Sequence, residues 1–217
     1  MKKWMIFLPG LLLALVCNAQ AYDDNDFQVW NTDVEEFKID KNSKIALEQE
    51  FRWGDNASDF FYRHYDAGYF YKLNSNLQVG GGYRYIQSKV NNKFKPENEP
   101  YVSAALSGEF MKCAIDSRSR LEYMDYNYQS DAWRYRNKFT IKSPWKFTEM
   151  EIQPYLTEEI FIRFSGGGLN QNRLGGGLSL NFVKNVKAEL YYMLVSSKSK
   201  GRWTDSNVLG TKLKVAF

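Results

Sequence analysis

Asn207-Val208-Leu209-Gly210-Thr211-Lys212-Leu213-Lys214-Val215-Ala216-Phe217 closes the chain. Leu209, Thr211, Leu213, Val215 and Phe217 share one parity, and Lys212 and Lys214 share the other. A period of two makes this a strand with one apolar and one polar face. Two settings suit such a strand. It can sit in the core of a soluble sandwich, or it can be one stave of a barrel that crosses a membrane.

The same alternation recurs upstream. From residue 27 onward, runs of about ten residues are separated by turn chemistry, the spacing of an all-β meander. Ile45, Leu47, Gln49, Phe51 and Trp53 oppose Lys44, Glu48, Glu50 and Arg52. Phe61, Tyr65, Ala67, Tyr69 and Tyr71 oppose His64, Asp66 and Lys72. Leu77, Val79, Tyr83 and Tyr85 oppose Gln78 and Arg84. Ile115, Leu121 and Tyr123 oppose Arg118, Arg120 and Glu122, and Trp133, Tyr135, Phe139 and Ile141 oppose Arg134, Arg136 and Lys138. Leu174, Leu178 and Phe182 oppose Arg173, and Leu190, Tyr192 and Leu194 follow Lys187 and Glu189. Two runs are irregular. In 27–39, Asn31, Asp33 and Glu35 fall on the parity of Val29, Phe37 and Ile39; in 150–164, Glu158 falls on the apolar parity, which predicts a bulge.

This pattern counts to eleven strands. Bacterial single-chain barrels are even-numbered and keep both barrel ends on the periplasmic side. The expectation is therefore ten to twelve strands, with the 27–39 run split in two or lying partly in the lumen. Connections at 54–59, 91–98, 165–170 and 196–206 read as longer loops. Those at 40–43, 74–76, 111–112 and 183–185 read as short turns, with 143–149 out of step.

The first stretch reads as a leader. Lys2 and Lys3 precede an apolar run from Trp4 to Val16, and Ala19-Gln20-Ala21 supplies small residues for cleavage after Ala19 or Ala21. Cys17 follows Val16, where a lipobox wants a small residue. The organisation expected is a signal peptide at 1–21 and a single barrel domain at 22–217. Without the leader, 27 basic residues face 25 acidic ones, so no net field argues for nucleic acid. Cys113 is then the only cysteine, and no internal disulfide is possible. The mean hydropathy is −0.53, which reads as soluble only if every residue of a strand is averaged. In a membrane barrel only alternate residues meet lipid. Aromatic residues make up 17% of the chain, and side chains with one wet end suit membrane interfaces.

The closing strand resembles those of outer-membrane barrels, where a final phenylalanine with apolar residues two and four places earlier is recognised by the assembly machinery. Leu213, Val215 and Phe217 occupy those places. Trp30, Glu50-Phe51-Arg52, Gly82-Tyr83-Arg84-Tyr85, Arg118-Ser119-Arg120-Leu121-Glu122 and Arg134-Tyr135-Arg136 resemble domain-of-unknown-function family 2490, an uncharacterised bacterial outer-membrane family. The resemblance covers the whole mature chain. It implies a closed antiparallel up-and-down barrel in the outer membrane of a Gram-negative bacterium, and it carries no activity and no catalytic residues.

In such a barrel the charged parity points inward. The lumen cluster expected is Glu48, Glu50, Arg52, His64, Asp66, Arg84, Arg118, Arg120, Glu122, Arg134, Arg136, Lys138 and Arg173. A hairpin centred on 127–131 places Glu122 opposite Arg136 and Arg120 opposite Lys138; one centred on 54–59 places His64 near Glu50. Buried charge must be paired, so ion pairing is the first reading, and binding of a small anionic solute or a lipid headgroup is the second.

His64 is the only histidine, which leaves no multi-histidine metal site, and neither a metal nor a cofactor is expected. No G-x-S-x-G motif occurs. A barrel lipase would need a histidine beside a serine on the lipid side, whereas the parity of His64 points inward. The glycines at 166–168 and 175–177 precede no helix pattern and read as flexibility and close strand packing. The function expected is a small channel or a structural membrane protein with a charge-paired lumen. Its partners would be outer-membrane lipids, lipopolysaccharide and the barrel assembly machinery, with a small solute in the lumen as a further candidate. The alternatives are an outer-membrane enzyme acting on lipids, as a lipase or on lipid A, and a soluble periplasmic barrel or sandwich that binds a ligand.

Overall fold

The computed structural model describes residues 24–165, 167–199 and 201–217. The leader at 1–21 lies outside them. Among the described residues every regular element is a strand: β1 Asp26–Lys38, β2 Ser43–Gly54, β3 Asp59–Lys72, β4 Leu77–Val90, β5 Lys93–Phe110, β6 Cys113–Tyr126, β7 Ala132–Lys142, β8 Gln153–Arg163, β9 Gly168–Val183, β10 Val186–Ser199 and β11 Arg202–Ala216. Sequence neighbours pair antiparallel all the way round, and β1 pairs with β11 to close the barrel.

Eleven up-and-down strands leave the first and last pointing the same way, so the closing pair is parallel. Its register runs without a shift from Asp26↔Ser206 to Glu36↔Ala216. This corrects two expectations. The two ends of the barrel lie at opposite rims, and β1 is neither split nor folded into the lumen. Its conflict of parity resolves otherwise: Trp30, Thr32 and Val34 point inward and are buried, while Asn31, Asp33 and Glu35 point outward.

The expected asymmetry of loop lengths is also absent. The C-terminal rim carries the links 39–42, 73–76, 111–112, 143–152 and 184–185; the N-terminal rim carries 55–58, 91–92, 127–131, 164–167 and 200–201. Only 143–152 is long, and it folds into a small hairpin bridged at Phe147↔Ile152. The segments 93–98 and 196–206 look like loops because they are polar, yet they lengthen β5, β10 and β11. A two-residue turn at Asn91 and Asn92, both at positive φ (50° and 59°), makes the β4–β5 hairpin tight. Pro96 is tolerated opposite Gln87, and the β5–β6 pairing is interrupted between Asn98 and Tyr101, without a change of register, where Pro100 has no N–H to donate.

The bulge expected in 150–164 is present, between Phe161 and Ile162, while Glu158 itself sits in regular β8 and faces outward, exposed. A second shift at Arg52/Trp53 sets Phe60, rather than Phe61, opposite Trp53 on the outer wall.

The outer wall is broadly apolar, with Val102, Leu106, Leu156, Leu174, Leu190 and Leu213 all exposed, Leu156 at 63%. The interior is filled by side chains. One apolar cluster (Trp30, Met193, Val195 and Val208, with Tyr191 against it) lines the inside of β1, β10 and β11. Tyr191 lies flat over Gly210 of the next strand, and any Cβ there would run into its ring. Tyr101 uses Gly68 and Gly82 in the same way. Elsewhere the filling is charged.

Candidate functional site

The charged filling is built strand by strand. Directly opposed pairs alternate in sign where β3, β4 and β5 meet: Asp66↔Arg84 and Arg84↔Glu99. Arg84 donates from Nε to Asp66 at 3.0 Å, and its guanidinium lies 3.6 Å from Glu99 and 3.8 Å from Glu48. Tyr101 donates its hydroxyl to the other oxygen of Asp66 at 2.7 Å. Across β6 and β7, Arg134 donates to Glu122 at 2.6 Å and to Glu99 at 2.8 Å. Arg136 donates to Glu159 at 2.6 Å and to Glu122 at 3.4 Å. Arg173 reaches Glu159 at 3.4 Å.

The network continues round to β2. Arg52 donates to Glu50 at 2.7 Å, sandwiched between the rings of Trp30 (3.7 Å) and Tyr62 (3.9 Å). Thr32 donates to Glu50 at 2.9 Å. His64 Nε2 lies 3.2 Å from Glu48, its Nδ1 lies 3.1 Å from the Tyr62 hydroxyl, and Lys212 reaches Glu48 at 3.2 Å. Glu99 and Glu122 are fully buried, and His64 is 2% exposed.

These contacts form a continuous partition across the barrel from β2 to β9. It separates a hollow of about 240 Å³ towards the N-terminal rim, lined by Tyr62, Ser88 and Glu97, from one of about 310 Å³ towards the C-terminal rim, lined by Lys44, Asp116 and Lys214. A smaller hollow of about 80 Å³ lies against Thr157, Lys138 and Tyr191. Removing one member of a buried pair leaves an uncompensated charge and costs about 3–5 kcal/mol.

All thirteen residues singled out from the sequence lie on barrel strands. Eleven of them join the partition. Arg118 and Lys138 do not: among the described residues no carboxylate lies within ion-pair distance of either. The hairpin registers differ from expectation by one pair. Glu122 opposes Arg134, Arg120 opposes Arg136 and Arg118 opposes Lys138, while Glu50 opposes His64 as the 54–59 hairpin suggested.

Sequence reasoning missed Glu99, Glu159 and Lys212. Glu99 lies just past the supposed loop at 91–98 and before the apolar run that starts at Val102, although the parity of Val102 and Ala104, carried upstream past Tyr101, points it inward. Glu159 sat in the run thought to bulge. No serine donates to His64, and no set of three His, Cys, Asp or Glu side chains converges as a metal site would, among the described residues.

The outer wall holds a groove of about 450 Å³ over Ala67, between Tyr65, Tyr83, Asp33 and Glu35. It lies across β1 to β4.

A family model for a protein of unknown function, DUF2490, matches residues 27–206. Neither the curated proteins nor the solved structures give a match.

Proposed function

The chain belongs to the DUF2490 family of unknown function, and from that premise we propose that it is an integral barrel of the Gram-negative outer membrane, a narrow channel whose conductance is limited by the charged partition. The observation that carries this reading is the exchange of faces around most of the wall: charge inside, exposed apolar side chains outside. A soluble barrel has no reason to spend its apolar residues on solvent. Two bands of aromatic side chains support it. Trp53, Phe60 and Phe94 touch near the N-terminal rim, with ring centroids 5.5 and 5.6 Å apart, and Trp133, Phe164 and Trp203 are exposed at the same end. At the other end Phe37 stacks on Phe217 at 5.0 Å, with Tyr71, Phe110 and Phe182 exposed nearby. Phe60 and Tyr71 are eleven residues apart on β3, which at about 3.4 Å per residue and a tilt of about 40° is about 28 Å of height. That is the height of a lipid-facing band with aromatic girdles.

The test is fractionation, followed by planar-bilayer recording of purified protein shown to be folded by its faster migration before boiling. Small discrete current steps are expected, and they should grow when Glu122 and Arg134 are both made small. Recovery in the soluble periplasmic fraction sinks the membrane assignment. Hydrolysis of phospholipid or lipid A by the wild type, lost in His64→Ala, replaces the channel with an enzyme.

A further inference from the structure

On the C-terminal side of the partition, positive charge exceeds what the carboxylates there can neutralise. Glu36 is shared by Lys44 and Lys214, at 2.6 and 2.9 Å. Asp116 accepts from Ser107 at 2.8 Å. Glu189 lies 3.9 Å from Lys142 and accepts from Tyr155 at 3.4 Å. Glu48 is occupied by Lys212 and His64, and Glu159 by Arg136 and Arg173. Arg118 and Lys138 remain, directly opposite one another on β6 and β7 with both side chains turned inward. Arg118 lines both the 80 Å³ and the 310 Å³ hollows, and Lys138 lines the smaller. Two partly buried cations placed side by side repel one another, and an anion between them relieves that repulsion.

A second observation points to the same place. Arg120 lines the larger hollow next to Arg118, its side chain is 5% exposed, and its Nε and Nη1 have no hydrogen-bond partner. Asp66 and Glu122 stand 3.6 and 3.7 Å from Nη1, close enough to attract it and too far to accept from it. A buried guanidinium with two idle donors is costly unless a ligand takes them.

We propose that Arg118, Arg120, Lys138 and Lys212 form a binding site for a phosphate-type oxyanion, free or carried on a small solute, entered from the C-terminal rim. Two guanidinium forks and two ammonium groups approach from three strands, which suits an anion with oxygens in several directions. The hollows have room for one such group with a small organic remainder. The site rests on the interior of the barrel and not on the membrane in which the barrel resides.

The experiment is thermal unfolding of the purified, detergent-folded barrel in inorganic phosphate and in glucose 6-phosphate, each against chloride at equal ionic strength. The comparison is with the double variant Arg118→Gln, Lys138→Gln. Neither residue has an ion pair to lose, so the variant is expected to fold and, without phosphate, to melt at least as high as the wild type. Phosphate should raise the wild-type melting temperature in a saturable way and leave the variant unmoved, with apparent affinity at least tenfold weaker. A larger effect of glucose 6-phosphate than of inorganic phosphate assigns the site to a phosphorylated solute; an equal effect assigns it to the free anion. No phosphate-specific shift in the wild type, or the same shift in the variant, overturns the proposal. Conductance is recorded separately, so an absent current with intact phosphate binding removes the channel and keeps the site.

Discussion

Along β5–β8 the wall turns its charges inward and its apolar side chains outward; along the β1–β11 seam the sorting is mixed, for β11 keeps Lys212 and Lys214 inside and Leu209 and Leu213 outside while the middle of β1 turns polar side chains out. On the first, Glu99, Glu122, Arg134, Arg136 and Glu159 are bonded to one another inside, and Val102, Leu106, Trp133 and Leu156 face out. At the seam, Trp30, Val34 and Val208 are buried inside, and Asn31, Asp33, Glu35 and Thr211 face out. The outward polar groups partly satisfy one another: Asn31 donates to Thr211 at 3.1 Å across the parallel pair, and Gln49 donates to Asp33 at 3.3 Å. The far wall is held by ion pairs whose loss leaves charge stranded. The seam is held by a parallel ladder, by apolar packing around Trp30 and Val208, and by the Lys214–Glu36 pair that joins β11 to β1 inside. A barrel of up-and-down strands with an odd number has one parallel joint, and here that joint carries polar side chains on both faces.

The largest expected effect lies on the far wall. Glu122→Leu removes one of the two carboxylates that each of Arg134 and Arg136 holds, leaving more buried positive charge than Glu99 and Glu159 balance, and should cost about 3–5 kcal/mol in denaturant unfolding of the folded barrel. A cost below about 1 kcal/mol would mean that the partition is wet and its pairs behave as surface pairs.

Cross-linking addresses the seam next. In a Cys113→Ser background, Asn31→Cys with Thr211→Cys puts two thiols on register partners of β1 and β11. Oxidation should close a disulfide and raise stability by about 2–4 kcal/mol, as a bridge over a long loop does. Cross-linking at a neighbouring register instead would redraw the closure.

A smaller change separates lipid from water on the outer face. Glu35→Leu removes a carboxylate that points outward beside the groove over Ala67. In lipid vesicles it should stabilise the barrel by about 1 kcal/mol, because charge facing the hydrocarbon is unfavourable. A soluble barrel would show no gain and a stronger tendency to associate.

The smallest effect is a pH dependence at the N-terminal rim. Asp131 accepts from the backbone N–H of Tyr126 at 3.0 Å and from the Tyr123 hydroxyl at 2.9 Å, and these bonds hold its carboxyl below the ordinary range. A carboxyl depressed on folding adds stability that is complete above its unfolded pKa and disappears as the pH falls through its folded one. Wild type should therefore lose slightly more stability than Asp131→Asn between neutral pH and strong acid. Equal slopes would mean that the turn at 127–131 opens in solution.

Much of the far wall was legible from alternation alone. The runs around Arg84, Arg120 and Arg136 repeat every second residue, and a strand can obey that rhythm only by sorting its two faces. Legibility ended where the strand did something other than alternate. Lys93 to Asn98 looked like a loop because charge and Pro96 suggest one, yet backbone pairing needs no apolar residue, and an edge of polar strand can project past the wall. In β1 the two parities each mix polar and apolar residues. Asn31 and Asp33 could not be assigned to a face without knowing their neighbours, Thr211 of β11 for the first and Gln49 of β2 for the second. The site divides in the same way. That these arginines and glutamates share an interior could be read from parity. That Arg118 and Lys138 stand without a carboxylate depends on a register two residues from the one a symmetric hairpin suggests.

The sequence by itself determined the all-β class, the approximate strand number and, for most strands, which residues share a face, because a period of two is a local property of the chain. Only the tertiary structure decided the parallel closure, the opposite placement of the two barrel ends, the outward turn of Asn31, Asp33 and Glu35 on β1 and the choice of partner for each buried charge. Those depend on which strands meet and at what register, and register is set by turns and bulges whose one-residue shifts leave no mark on composition.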